Sequence, residues 1–141
     1  MDIFDLIGPI MVGPSSSHTA GAVRIGLVGR RLLGEDPVQA QLLLHGSFAA
    51  TARGHGTDRA LAAGLLGLAV DDPALKDSLE IAKAQGVDLA FYQARLREAH
   101  PNTAVVEVWG ERNRMSLRAA SVGGGAIRVQ ELDGLPVNFS G

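Results

Sequence analysis

Thr103-Ala-Val-Val-Glu-Val-Trp109, Asn113-Arg-Met-Ser-Leu-Arg-Ala-Ala-Ser-Val122 and Ala126-Ile-Arg-Val-Gln-Glu131 decide the fold. The first is rich in β-branched residues. The second alternates Met115, Leu117 and Ala119 with Arg114, Ser116 and Arg118, the pattern of a strand with one face buried. Gly123-Gly-Gly125 joins the second to the third as a hairpin-like connection. Upstream the period changes. Val23, Leu27, Val28 and Leu32 recur at helical spacing, predicting a helix from about Thr19 to Leu33 that closes at Gly34. Ala22, Gly26, Gly29 and Leu33 make a second stripe almost without side chains. Each interior glycine costs up to ~1 kcal/mol against alanine, so Gly21, Gly26 and Gly29 imply that another backbone packs close to this helix. Further helices are expected from Thr57-Asp58, acting as the cap, to about Leu68, and from the Asp72-Pro73 cap to Gly86. Ala40–His45 reads as a strand with a buried Leu42-Leu43-Leu44 run. Val87–Ala94 reads as extended, with a helix-like patch over 94–99 as its rival, and Gly46–Thr51 is ambiguous. Helices early and antiparallel strands late specify an α+β domain, one unit over residues 1–141, with helices on one face of a mostly antiparallel mixed sheet.

Composition bounds the function. The chain has 141 residues, 46% hydrophobic and 20% charged, with a net charge of −2 and scattered basic residues, so no nucleic-acid face is indicated. No apolar run is long enough to span a membrane and no secretory signal is visible, so a cytoplasmic location is expected. The chain has no cysteine, so it can form no disulfide and contribute no thiolate to a metal or cluster. Its four histidines, His18, His45, His55 and His100, form no local metal-binding pair, so no metal ligand is assigned.

Chemistry concentrates in two segments. Gly13-Pro-Ser-Ser-Ser-His-Thr-Ala-Gly21 puts Ser15, Ser16, Ser17, His18 and Thr19 at a helix start, where hydroxyls and free N–H groups suit a small anion. A plain N-cap needs one such residue, so five favour a ligand site. Gly54-His-Gly-Thr-Asp58 has the same grammar and supplies His55, Thr57 and Asp58, although it would also serve as a loop-to-helix cap. Asn102, in His100-Pro-Asn102, could bind a polar group or simply lead a strand. His45 is a structural histidine on its position at a strand end. A Ser-His-Asp hydrolase is disfavoured, because the G-x-S-x-G elbow is absent and Ser17 and His18 are adjacent.

Asp5-Leu-Ile-Gly-Pro-Ile-Met-Val-Gly-Pro-Ser-Ser-Ser-His-Thr-Ala-Gly21, Leu44-His-Gly-Ser-Phe48, Gly54-His-Gly-Thr-Asp58, His100-Pro-Asn-Thr103 and Val122-Gly-Gly-Gly125 occur in the order seen in the iron–sulfur L-serine dehydratases. Over nearly its whole length the chain resembles the β chain of the two-subunit form, or the matching N-terminal region of the single-chain form. The resemblance implies a lyase that converts L-serine to pyruvate and ammonia with a [4Fe–4S] cluster. The cluster would be ligated by the cysteines of a partner α component, without which this chain is inactive. It implies that Ser15, Ser16, Ser17 and Thr19 hold the substrate carboxylate, and that His18 and His55 are the acid/base candidates. Thr57 and Asp58 would bind substrate, Asp58 at the ammonium, and Asn102 would support the site. Such β chains continue into a regulatory domain of the ACT type, which would begin where this sequence stops at Gly141. The C-terminal end is therefore expected to lead into a linker. The fold also resembles the extra substrate-binding domain of some D-3-phosphoglycerate dehydrogenases, implying as an alternative a non-catalytic module that binds serine or another small anionic metabolite. The glycine-lined helix and open C-terminal end point to contacts with another domain, and a homo-oligomer is a further expectation.

Overall fold

The computed structural model describes residues 13–46, 48–49, 56–97 and 99–140, with the side chains of 13–18 outside that description. Helix α1 spans Gly13–Leu33. Strand β1 is Gln39–Leu44, α2 is Thr57–Leu65, and a 3-10 turn over Pro73–Asp77 leads into α3 at Ser78–Ala84. The strands β2 (Asp88–Gln93), β3 (Thr103–Trp109), β4 (Arg114–Gly123), β5 (Ala126–Leu132) and β6 (Leu135–Ser140) follow. One sheet contains them all in the order β2-β1-β3-β4-β5-β6. Only β1 and β2 pair in parallel. They are the strands separated by α2 and α3, and a parallel pair needs such a crossover.

The expected α+β architecture is present. Along β3, Ala104, Val106 and Val108 are buried while Val105, Glu107 and Trp109 are only half-buried; β4 buries Met115, Leu117 and Ala119. Ala22, Ile25 and Leu33 of α1 and Leu61 and Leu65 of α2 join the same core, so the helices cover one face.

The glycine stripe of α1 does what its cost implied. A Cβ on Gly26 would lie 2.5 Å from the Leu61 carbonyl oxygen and 2.9 Å from the Gly64 Cα. A Cβ on Gly64 would overlap the Val23 carbonyl oxygen. The two helices therefore cross backbone to backbone. Gly29 is different: its virtual Cβ would meet the Leu117 side chain at 3.4 Å and Leu65 at 3.6 Å, which are ordinary contacts.

Several boundaries differ from those expected. Helix α1 begins at Gly13 rather than Thr19, so the serines lie in its first turns instead of preceding it. Pro14 permits this, since its missing N–H falls among the four that a helix start leaves unpaired anyway. Gly56, at φ 82°, takes the cap position of α2, leaving Thr57 and Asp58 as its first residues; the helix ends at Leu65, short of Leu68. The Asp72 cap is present, its carboxylate accepting from Ala74 N at 2.8 Å, but the first turns behind it are 3-10. Leu43 is half-buried between buried Leu42 and Leu44, so β1 alternates rather than forming a continuous apolar run. The 94–97 stretch is not helical, because its N–H groups are taken elsewhere: Ala94 N donates to Leu44 O of β1 and Leu96 N to the His45 side chain at Nδ1. The extended tail is strand β6, folded back by Asp133 (φ 50°) and Gly134 (φ 82°), with Asp133 also accepting from Ser116 N at 2.8 Å. Asp-Gly is a strong hairpin signal, and here it adds the sheet's sixth strand.

The crossing makes opposite predictions for two neighbouring glycines. Gly26→Ala should destabilise the fold by about 1–3 kcal/mol through overpacking. Gly29→Ala should be neutral or stabilising by up to ~1 kcal/mol, because alanine is the better helix former and has room. Urea unfolding of both variants checks this.

Candidate active site

The sheet register brings the chemically distinctive segments to one end. Leu44, the last residue of β1, pairs with Ala104 near the start of β3, and Thr103 pairs with Ala120 of β4. Gly123 closes the β4–β5 hairpin opposite Ala126. His45, His100–Asn102 and Gly123–Gly125 therefore line one edge. Helix α1 starts over that edge: Gly21 packs against Ser121, and Ala20 and Arg24 against Gly125. It ends at the opposite edge, where Asn113 Nδ2 donates to Leu33 O at 3.1 Å.

Helix α2 runs the same way. Leu61 and Gly64 meet α1 around Val23–Leu27, and Leu65 O accepts from Arg30 farther along. Thr19 stands seven residues before Gly26, and Thr57 seven before Gly64. Each is about 10 Å from the crossing along its own helix, at the same end of the molecule.

All of the expected site residues but His55 have a described backbone. Ser15, Ser16, Ser17 and His18 are backbone positions in the first turns of α1; their side chains, like all of His55, lie outside the described residues. Thr19 is half-buried on α1, and Thr57 is 2% exposed at the start of α2. Asp58 is half-buried in the first turn of α2, where a negative charge suits the helix dipole. Its Oδ1 accepts from Arg59 N at 2.7 Å.

Asn102 is the most firmly held. Its N–H donates to His100 Nδ1 at 3.0 Å, and its carbonyl accepts from Ser121 N at 3.0 Å. The Thr103 hydroxyl donates to His100 O at 2.7 Å. Gly46, at φ 60°, lets the chain after β1 press on this turn; a Cβ there would lie 2.9 Å from Pro101 Cα. His45 is structural, as expected: its Nδ1 accepts from Leu96 N at 3.0 Å and its N–H donates to Thr103 O at 3.0 Å.

Ser121 was not foreseen. It is 1% exposed and joins Gly21 of α1 to Asn102. The sequence signal for it was a glycine in α1 without an assigned neighbour, which cannot name the neighbour. Among the described residues, no cluster of three or more histidine, cysteine or acidic side chains could hold a metal. An open hollow lined by Leu27, Arg30, Glu35, Asp36 and Gly67 lies at the opposite end, where Arg30 pairs with Asp36 at 2.6 Å. None of the expected site residues lines it.

Residues 2–83 match the family model described as serine dehydratase beta chain. The chain belongs to the serine dehydratase beta chain family. It is 45% identical over 139 residues, 99% of its length, to the probable L-serine dehydratase beta chain of Bacillus subtilis. It is 42% identical over 140 residues to the L-serine dehydratase beta chain of Peptoniphilus asaccharolyticus. In both cases it spans 63% of the relative's own length. An L-serine dehydratase of Helicobacter pylori matches at 33% identity over 89% of this chain and 33% of the relative. The family match contains both the serine segment and Gly54–Asp58, whereas Asn102 and the glycine hairpin fall within the longer pairwise matches. No helix among the described residues is long and apolar enough to cross a membrane.

The Gly21–Ser121 contact can be tested by a double-mutant cycle. Gly21→Ala would drive a methyl group into Ser121, costing about 1–3 kcal/mol. Ser121→Gly removes the atoms it would strike, so the double variant should recover most of that loss. Additive losses in denaturant unfolding would refute the coupling.

Proposed function

We propose that this chain is the β component of an L-serine dehydratase, working with a cysteine-bearing α component to turn L-serine into pyruvate and ammonia. The observation that carries this reading is the meeting of the α1 start, the α2 start, the Asn102 turn and the glycine hairpin at one end of the domain, in a chain of this family. A small polar substrate docked there would face two helix N-termini at once. The α1 start, with Ser15, Ser16, Ser17 and Thr19, is assigned to the carboxylate, since unpaired N–H groups and the positive end of the dipole favour an anion. Asp58 is assigned to the ammonium. Thr57 is assigned to substrate binding from the start of α2, and Asn102 to support of the site from its turn.

His18 and His55 are assigned to proton transfer. One accepts the proton from Cα as the hydroxyl leaves; the other is available to protonate the departing oxygen. The aminoacrylate so formed tautomerises to the imine, and water releases pyruvate and ammonia. The [4Fe–4S] cluster is assigned to the α component. This chain has no cysteine with which to ligate it, and its own residues act on the substrate rather than on iron. We place the complex in the cytoplasm, in amino-acid degradation that can feed gluconeogenesis.

Co-expression with the α component under anaerobic conditions should give a complex that forms pyruvate from L-serine, with either component inert alone. His18→Ala and His55→Ala should each lower kcat by roughly 10²–10⁴-fold if both transfer protons. A cluster-loaded complex that makes no pyruvate but binds serine would replace the lyase reading with that of a binding module. Near-normal turnover by both histidine variants would move proton transfer to other residues.

A further inference from the structure

We propose that Arg24 is a positioning residue for this site, clipping the glycine hairpin between β4 and β5 against α1. The inference rests on the lyase reading for its catalytic consequence, but the clip itself is a feature of the β chain.

Gly123, Gly124 and Gly125 have φ of 109°, 60° and 81°, conformations that side chains rarely adopt. Three successive glycines also carry the largest backbone entropy a turn can have, so the hairpin needs something to hold it. Arg24 Nη1 donates to Gly125 O at 2.5 Å. A hydrogen bond from a charged donor is stronger than a neutral one. The approach is close: a Cβ on Gly125 would lie 2.8 Å from Arg24 Nη1 and 3.2 Å from Ala20 Cβ, so a side chain there would push the guanidinium aside. Gly123 and Gly124 would meet nothing within 4 Å, so only their dihedral angles demand glycine.

The place of the clip on α1 gives it functional meaning. Arg24 stands one helical turn from Ala20, and Ala20 one turn from the Ser16–Ser17 backbone. The same hairpin follows Ser121, whose N–H holds Asn102. Arg24 therefore connects the α1 segment assigned to the carboxylate with the strand end that supports Asn102. It is exposed and outside the hydrophobic core, so it can be changed without emptying a packed site.

The test compares Arg24→Ala with Arg24→Lys, lysine keeping a cationic donor. In the isolated β chain, Arg24→Ala should lower the NMR order parameters of the Gly124 and Gly125 amides from about 0.85 towards 0.6 or below, the range of flexible backbone. Tm should change little, and Arg24→Lys should restore most of the order. In the assembled complex, Arg24→Ala should lower kcat/KM for L-serine by roughly ten- to a hundredfold, as expected when a site wall shifts by up to an ångström. Arg24→Lys should recover most of that loss. Unchanged order parameters in Arg24→Ala would overturn the clip. Loosened glycines with kcat/KM within about twofold of the parent would overturn its catalytic role. A parent complex inert towards L-serine would count against the lyase reading, leaving the order parameters to judge the clip.

Discussion

Gly26 and Gly64 meet where α1 crosses α2, and neither position has room for a Cβ. Much of the domain's arrangement depends on this approach. A protein with only 4% aromatic residues cannot bridge wide gaps between elements with large rings. It must bring backbones together and fill the remaining space with leucine, valine, isoleucine and alanine. The close crossing brings Leu65 beside Gly29, over Leu117 and Val106 of the sheet. It also fixes where α2 begins relative to α1. A wider crossing would separate the two helix starts, and with them the two segments that carry most of the polar chemistry.

The sheet contributes the rest of the site through register. Because β3 is antiparallel to both β1 and β4, the chain entering β3 arrives where β1 ends and β4 finishes. That places the Asn102 turn between Gly46 on one side and Ser121 on the other. Asn102 is thus held by the Ser121 backbone N–H and the His100 side chain, with Gly46 packed on the neighbouring Pro101, and Gly21 brings α1 onto the same strand end. The Gly46–Pro101 and Gly21–Ser121 contacts each need a small residue. The chain's 18 glycines are therefore not one phenomenon: some set turns through positive φ, and others permit contact between backbones.

Much of the fold could be read from local patterns. The β-branched run of β3, the alternation in β4 and the small-residue stripe of α1 report burial, which recurs at the period of the element containing them, whereas in the larger apolar stripe of α1 only Val23 is buried and Leu32 is 45% exposed. The misread boundaries involved competing local signals. Pro14 suits a helix's first turn as well as a break, Asp133-Gly134 marks a hairpin only if both flanking segments are strands, and the 94–97 stretch is not helical because Ala94 N bonds to β1 and Leu96 N to the His45 side chain. The candidate site was legible as residue types, since three serines, two histidines, two threonines and an aspartate beside helix starts exceed the needs of capping. Ser121 and Arg24 were not legible, because their roles come from partners far away in sequence: Arg24 and Gly125 are 101 positions apart.

The sequence by itself determined the α+β class, the family resemblance and the polar segments to which we assign the chemistry, all of which depend on local periodicity or on residues close together in the chain. The tertiary structure alone decided that these segments share one end of the domain, that glycines in α1 meet Gly64 and Ser121, and that the glycine hairpin rests on Arg24. The physical reason is that close approach is a property of pairs. A missing side chain reveals that something must come near, whereas strand register and helix crossing determine what does.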